Sequence, residues 1–262
     1  MRVLSEFNPQ GVFTGGITLV QFANTYFQDQ AEAFFFIANL HALTTVRDRD
    51  VLRQNTIDAA LDLLALGVNP EKATLFVQSD VPEVSELYWL LMSGTPMGLL
   101  ERCVAFKEKK DRGISADAGL FSYPVLQAAD ILAYDADTVP VGADQVQHIE
   151  VFRRNIAGSF NHSFGEVFVM PKAKIVEATA KVPGLDGEKM SKSYNNTIEV
   201  FEPVKQMRKK VECIATDSRP MEQAKEPDGD HLFYFYSLLL ASDSEREEMA
   251  LPIVAAGLDT GR

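Results

Sequence analysis

Short apolar runs alternate with longer stretches of helical spacing along the first two-thirds of the chain. Val3-Leu4 opens the chain, Ala33–Asn39 is aromatic-rich, Thr74–Val77 is compact, and Thr138–Val141 closes the series of candidate strands. Between them, Asp50–Leu66 carries Val51, Ile57, Leu61, Leu64 and Leu66 near helical spacing, and residues 83–110, 124–134 and 146–160 also predict helices. Strands alternating with helices predict an α/β fold, a parallel sheet with helices on both faces. Such sheets bind ligands beyond the carboxyl ends of their strands. After about residue 183 the pattern changes to helices at 202–213, 230–241 and 244–256, with no clear strand. The expected division is therefore residues 1–183, followed by a polar loop and a partial α-helical domain over 184–262.

Composition narrows the setting. A hydrophobic fraction of 46% with 24% charged residues in 262 positions is that of an ordinary folded chain. The longest apolar run, Ala33–Ala38, is too short to span a bilayer, and Met1–Glu6 lacks the apolar core of a secretory signal. Only Cys103 and Cys213 occur, neither with a second Cys or His at ligand spacing, so no metal site or disulfide framework is expected and a reducing cytoplasm is the natural compartment. A net charge of −12 argues against a generic nucleic-acid coat protein. Two basic clusters remain, Lys107/Lys109/Lys110/Arg112 and Lys205/Arg208/Lys209/Lys210. Each reads either as the wet face of a helix or as a local patch for an anionic partner.

Four segments carry candidate chemistry. Residues 118–134 hold a single charged side chain, Asp130. With Pro124 in a first helical turn, Gln127, Asp130 and Tyr134 make one polar stripe, Tyr123 lying one turn before. The stripe either faces solvent or is buried. If buried, a lone carboxylate is costly without a donor, and no Lys or Arg is near in sequence, so a ligand N–H or O–H would fill that role. In "VPVGADQVQH" (139–148), Asp144 and Gln147 form a capping-box pattern, while Gly142 permits close approach to a ligand at a helix N-terminus. Asn8-Pro9-Gln10-Gly11 and Thr14-Gly15-Gly16 lie between the first strand and the first helix; they match neither GxGxxG nor the GxxxxGK[ST] loop. Finally, "LDGEKMSKSYNN" (185–196) gathers lysines with small hydroxyl and amide donors. It suits a solvated loop or a lid over a polyphosphate.

In this order, these segments resemble the bacterial-type tryptophanyl-tRNA synthetases, class I aminoacyl-tRNA synthetases. The matching stretches are "LHALTT" (40–45), "FVQSDVPE" (76–83), "FKEKK" (106–110), "GLFSYPVLQAADILAY" (119–134), "VPVGADQVQHIEVFRRNIAGSFN" (139–161), "VPGLDGEKMSKS" (182–193) and "ATDS" (215–218). The resemblance covers essentially the whole chain, and the "VPVGxDQxQHxE" and "KMSKS" pair is its most specific part. It implies a Rossmann-type catalytic domain, and a tryptophan–tRNA ligase that uses ATP with Mg²⁺ as its substrate complex and needs no permanent cofactor. Lys189 and Lys192 would neutralise the departing pyrophosphate, with Lys109 opposite. Asp130 would accept the indole N–H, with Tyr123, Gln127, Gln145 and His41 around the amino acid's ammonium and carboxylate. Asn8, Pro9, Gln10, Gly15, Gly16, Gly142, Ala143, Asp144 and Val182 would sit against ATP, together with Met190, Ser191 and Ser193 of the KMSKS loop. Thr14 and Gly16 stand where the family's HIGH-type motif acts. The implied partners are tryptophan, ATP, tRNA(Trp) and a second copy of the chain, with no membrane.

The N-terminal signature departs from that family. Glu6 follows Ser5 where relatives carry Gly, Gln10 stands where Ser or Thr is usual, and Gly16 replaces an Asn or His. This keeps open a second reading, a catalytically weak paralogue that binds tryptophan or a nucleotide as a sensor or regulator. Relatives also continue into further helices that read the anticodon, so these 262 residues are expected to make the adenylate more readily than they charge tRNA.

Overall fold

The computed structural model describes residues 1–7, 26–102, 117–141, 146–175, 184–188, 196–198, 202–214, 233, 244 and 247. The chain forms two compact units, Met1–Val12 with Gln21–Val176, and Phe13–Val20 with Glu177–Arg262.

The first unit is built on five parallel strands: β1 (Arg2–Phe7), β2 (Glu32–Ile37), β3 (Ala73–Val77), β4 (Thr138–Val141) and β5 (Lys172–Ile175), in spatial order β3-β2-β1-β4-β5. This is the doubly wound order, with the chain reversing direction across the sheet at the β1–β4 seam. Both faces of β1 and β2 are largely apolar, as a parallel sheet requires, with Ser5 and Glu6 of β1 as exceptions. Leu4 and Phe36 enter one large core, with Phe34 packed against it, while Val3, Phe7, Ala33, Phe35 and Ile37 are buried on the opposite face. Phe7 and Phe35 meet there at 5.9 Å between ring centroids.

β1 pairs with β2 along all six residues but with β4 only through Val3 and Thr138. The sequence explains the imbalance. The Asp137 carbonyl accepts the Lys172 N–H at 2.9 Å, so Asp137 and Val139 turn toward β5, and Thr138 and Pro140 toward β1. Pro140 has no N–H to give, and the ladder to β1 stops there.

The helices around the sheet are α1 (Asn39–Ala42), α2 (Arg49–Ala65), α3 (Pro82–Gly94), α4 (Met97–Leu100), α5 (Ala118–Leu132), α6 (Val146–Val151) and α7 (Gly158–Phe164). A π-helical stretch, Phe152–Ala157, joins the last two. The second unit contributes α8 (Val204–Glu212). Phe233, Ser244 and Glu247, in the two later predicted helices, are helical; the rest of those helices lies outside the described residues.

Four sequence expectations need correction. The helix predicted over 83–110 stops at Gly94, because Thr95 precedes Pro96 and is pushed into an extended conformation. A separate short turn, α4, follows, and 103–110 lie outside the described residues. Helix α5 begins at Ala118, so Pro124 sits in its interior rather than its first turn. The six residues before Pro124 are held by packing, Leu120 and Ser122 being buried and Tyr88 donating to Ser122 Oγ at 2.9 Å. Helix α2 forms as predicted, capped by Asp48 on the N–H groups of Asp50 and Val51. Its buried residues, however, are Ala59 and Leu63, while Val51, Ile57, Leu61 and Leu64 are exposed. Strand β5 had no predicted counterpart. Its Lys-Ala-Lys-Ile alternation is that of a charged edge strand, which lysines protect from unwanted pairing.

Candidate functional site

The carboxyl ends of β1, β2 and β3 converge on one buried carboxylate. Just past β2, Asn39 donates through Nδ2 to Ser79 Oγ (2.9 Å) and accepts the Ser79 N–H on Oδ1 (3.1 Å), clipping the β2 end to the β3 end. The clip sets two side chains. Gln78 accepts the Leu40 N–H on Oε1 at 3.0 Å, which turns its Nε2 toward Asp130 Oδ1 and Oδ2 at 2.8 and 2.9 Å. His41, in α1, places Nε2 2.9 Å from Asp130 Oδ2. Gln78, His41 and Asp130 are all buried, Asp130 to 1% exposure. Asp130 comes from α5, whose surrounding residues Ala128, Ala129, Ile131 and Leu132 fix the helix in the core.

Sequence reasoning expected Asp130 to need a ligand as donor. The chain supplies two donors of its own, 52 and 89 residues away. Among the described residues, three of about four acceptor positions on its two oxygens are taken, leaving one lone pair on Oδ1. Burial pushes the Asp130 carboxyl up to about 6; the nearby Glu6 charge adds to the rise, while His41 and Gln78 oppose it. Burial alone would lower His41, but the charges of Glu6 and Asp130 and the hydrogen bond to Asp130 outweigh it and raise it above its ordinary value. Both shifts favour the protonated forms.

Around this centre lie the other described candidates. Tyr123 meets the His41 ring edge-on, at 6.1 Å and 81°. Gln127, one turn before Asp130, donates through Nε2 to Glu6 Oε2 at 3.1 Å. Tyr134, last in the predicted stripe, is packed against Phe34 and Phe76, its buried hydroxyl without a hydrogen-bond partner among the described residues. The stripe is therefore an interior feature. On the neighbouring side of His41 and Tyr123 a cleft of about 590 Å³ opens, walled by Leu40, Tyr88, Leu120 and Leu126, with the Arg47–Asp117 ion pair among its lining residues.

Asn8, Pro9, Gln10, Thr14, Gly15, Gly16, Lys109, Gly142, Ala143, Asp144, Gln145, Val182, Lys189, Met190, Ser191, Lys192 and Ser193 lie outside the described residues. The flanks of the KMSKS segment are described, and they meet. Leu185 N–H donates to the Asn196 carbonyl at 2.9 Å, and Asn196 Nδ2 donates to Asp186 Oδ1 at 2.8 Å. A Cβ on Gly184 would stand 2.2 Å from Asn196 Nδ2, so this close approach requires glycine. Gly187, at φ 81°, completes the turn with a bond from its N–H to the Gly184 carbonyl. Asn196 is buried and committed to this staple; it is not one of the loose amide donors that the sequence suggested.

Two residues of the site were not anticipated as binding residues. Gln78 orients the central carboxylate, and its signal was its place directly after a strand. Glu6 was noted only as a departure from a pattern; its contact with Gln127 was not legible.

Comparison with known proteins identifies the family. Residues 1–250 match the family model of the class I tRNA synthetases (W and Y). A tryptophan–tRNA ligase of Rhodopirellula baltica is 61% identical over 266 residues, spanning 100% of this chain and 81% of that protein. The crystal structure of the Campylobacter jejuni tryptophanyl-tRNA synthetase with ADP and tryptophan superposes with a TM-score of 0.85 at 44% identity, covering 98% of this chain and 80% of that one. The Mycoplasma pneumoniae tryptophanyl-tRNA synthetase gives 0.81 at 32% identity, covering 95% and 75%. A doubly wound sheet with a buried, soft-donor carboxylate at its crevice, matched over nearly its full length by such enzymes, places the chain in one family: it belongs to the class I tRNA synthetases of the W and Y type.

Proposed function

We propose that this chain is a tryptophan–tRNA ligase, activating tryptophan with ATP and passing the tryptophanyl group to tRNA(Trp). The observation that carries the reading is the 61% identity over the whole chain to an enzyme of that name. The geometry of Asp130 supports it. A buried carboxylate with one acceptor position open on Oδ1 can take the indole N–H without losing Gln78 or His41. An indole N–H is a lone donor, and a site that pairs it inside an apolar pocket rejects side chains that lack it.

In this reading Tyr123, Gln127, Gln145 and His41 surround the amino acid's backbone groups. Its carboxylate attacks the α-phosphate of ATP, forming the acyl–phosphate bond as pyrophosphate leaves. Lys189 and Lys192 of the KMSKS loop, with Lys109, neutralise the charge on the leaving group. Gly142, Ala143, Asp144 and Val182 lie against the nucleotide, as do Asn8, Pro9, Gln10 and Gly15. Thr14 and Gly16 stand beside the phosphates, and Mg²⁺ enters with ATP as part of the substrate. Catalysis of this kind rests on positioning and on charge stabilisation that grows toward the transition state.

The enzyme would act in the cytoplasm as a homodimer. Support for a second copy comes from large apolar side chains left exposed on α2 and α3, Leu61 at 58% and Trp89 at 70% among them. The test of function is tryptophan-dependent exchange of labelled pyrophosphate into ATP, followed by aminoacylation of tRNA(Trp). Exchange that tyrosine supports as well as tryptophan, or no exchange with either, would overturn the reading.

A further inference from the structure

The departure at Glu6 has a place near the carboxyl end of β1. Leu4 and Glu6 share the face of β1 that α5 covers, and Glu6 lies near the carboxyl end of the strand, where ligands enter sheets of this type. Its half-buried carboxylate has one hydrogen bond among the described residues, from the neutral Gln127 amide at 3.1 Å. The His41 imidazole is already engaged by Asp130, Nε2 to Oδ2 at 2.9 Å. The charges of Glu6 and Asp130 both favour the protonated form of that imidazole and, with its hydrogen bond to Asp130, outweigh burial. Glu6 thus brings a second carboxylate to the crevice end of the sheet, with the neutral Gln127 amide as its donor among the described residues.

The geometry points to Glu6 as a specificity residue that binds the α-ammonium of the amino-acid substrate and turns its carboxylate away, toward the nucleotide. The inference rests on the reading of the Asp130 pocket as the amino-acid site. An ammonium group has three donors and no acceptor, so it can meet Glu6 Oε1 while Oε2 keeps its bond from Gln127. A ligand carboxylate in the same place would face like charge. Gln127 then acts as a positioning residue, holding the Glu6 carboxylate at the pocket edge.

Three indole ligands separate the contributions: tryptophan, tryptamine (ammonium without carboxylate) and indole-3-propionate (carboxylate without ammonium). Calorimetry on the full chain should show that the wild type prefers tryptamine to indole-3-propionate. Glu6→Gln keeps the size and a hydrogen-bonding oxygen while removing the charge. It should weaken tryptophan and tryptamine by about tenfold or more, the scale of a charge-assisted bond, and leave indole-3-propionate unchanged or tighter. Glu6→Ala supplies the same comparison if the Gln variant does not fold. An unchanged tryptamine preference in both variants, or equal weakening of all three ligands, overturns the assignment while the amino-acid site stands. No binding of tryptophan by the wild type overturns both.

Discussion

Two buried carboxylates, one in each unit, are held in opposite ways. Asp130 rests on a neutral amide and an imidazole, with the carboxylate of Glu6 nearby. Glu202 precedes α8 and is 2% exposed, but it is met by the permanent cation of Lys210, at 2.6 Å. The difference separates two uses of buried charge. A lysine balances its partner's charge through Oε2, although Glu202 Oε1 is buried without a partner among the described residues, and it fixes a helix to the chain that precedes it. Soft donors leave the charge movable, able to hold a proton or accept a new donor, which is what a ligand pocket requires.

The largest way to break the contrast is Asp130→Ala. Donors on Gln78 and His41 would be stranded inside the core, at roughly 1–3 kcal/mol each, and tryptophan affinity should fall by a similar amount. Urea unfolding and calorimetry read the two effects separately. Lys210→Met should destabilise by about 2 kcal/mol, since it strands a charged acceptor, yet leave tryptophan affinity unchanged. Loss of affinity in that variant would mean that Glu202 is not a purely structural charge. Gln78→Leu comes next, at about 1–2 kcal/mol, because it frees the buried Leu40 N–H as well as Asp130. With one neutral donor gone, Asp130 should hold its proton more tightly, and the pH at which tryptophan affinity rises should move upward.

The smallest effect sharpens the comparison most. Asp130 titrates near 6 in the folded chain against an ordinary 3.8, and His41 lies above its ordinary 6.5. Both shifts mean that the folded state holds protons more tightly than the unfolded chain. Their stabilising contribution is full below pH 4, declines as the pH passes about 6, and ends once His41 has titrated in the folded state. Thermal melts between pH 4 and 8 should show the wild type losing stability relative to Asp130→Asn as the pH rises. Parallel pH profiles would remove the proton from the account.

Much of this was written locally in the sequence. Strands β1 to β4 announce themselves as apolar runs, and the isolation of Asp130 in 118–134 marked it as a residue needing a partner. The partner was not legible, because Gln78 and His41 reach Asp130 only once β2 and β3 lie side by side. A rule of position finds them afterwards: each lies just past the carboxyl end of its strand. Helix α2 failed in the other direction. Spacing gave its helical form, but exposure of Val51, Ile57, Leu61 and Leu64 depends on what packs where, which periodicity does not encode. Pro124 misled because packing of the preceding turns outweighed its usual place at a helix start.

Pro140 makes the sheet mechanically unequal. β3, β2 and β1 are laced along nearly their whole lengths and β4 is laced to β5, but the two groups share one ladder rung, with Arg2 bonded to Asp137 and Tyr134 below it. Stiffness along a sheet comes from its ladder, so the softest line through this one runs between β1 and β4, past Glu6. Strain from a ligand entering the crevice would be relieved by the two plates hinging there, before any strand bends. Amide hydrogen exchange should therefore be slowest in β2, which is laced on both sides, and faster in β4.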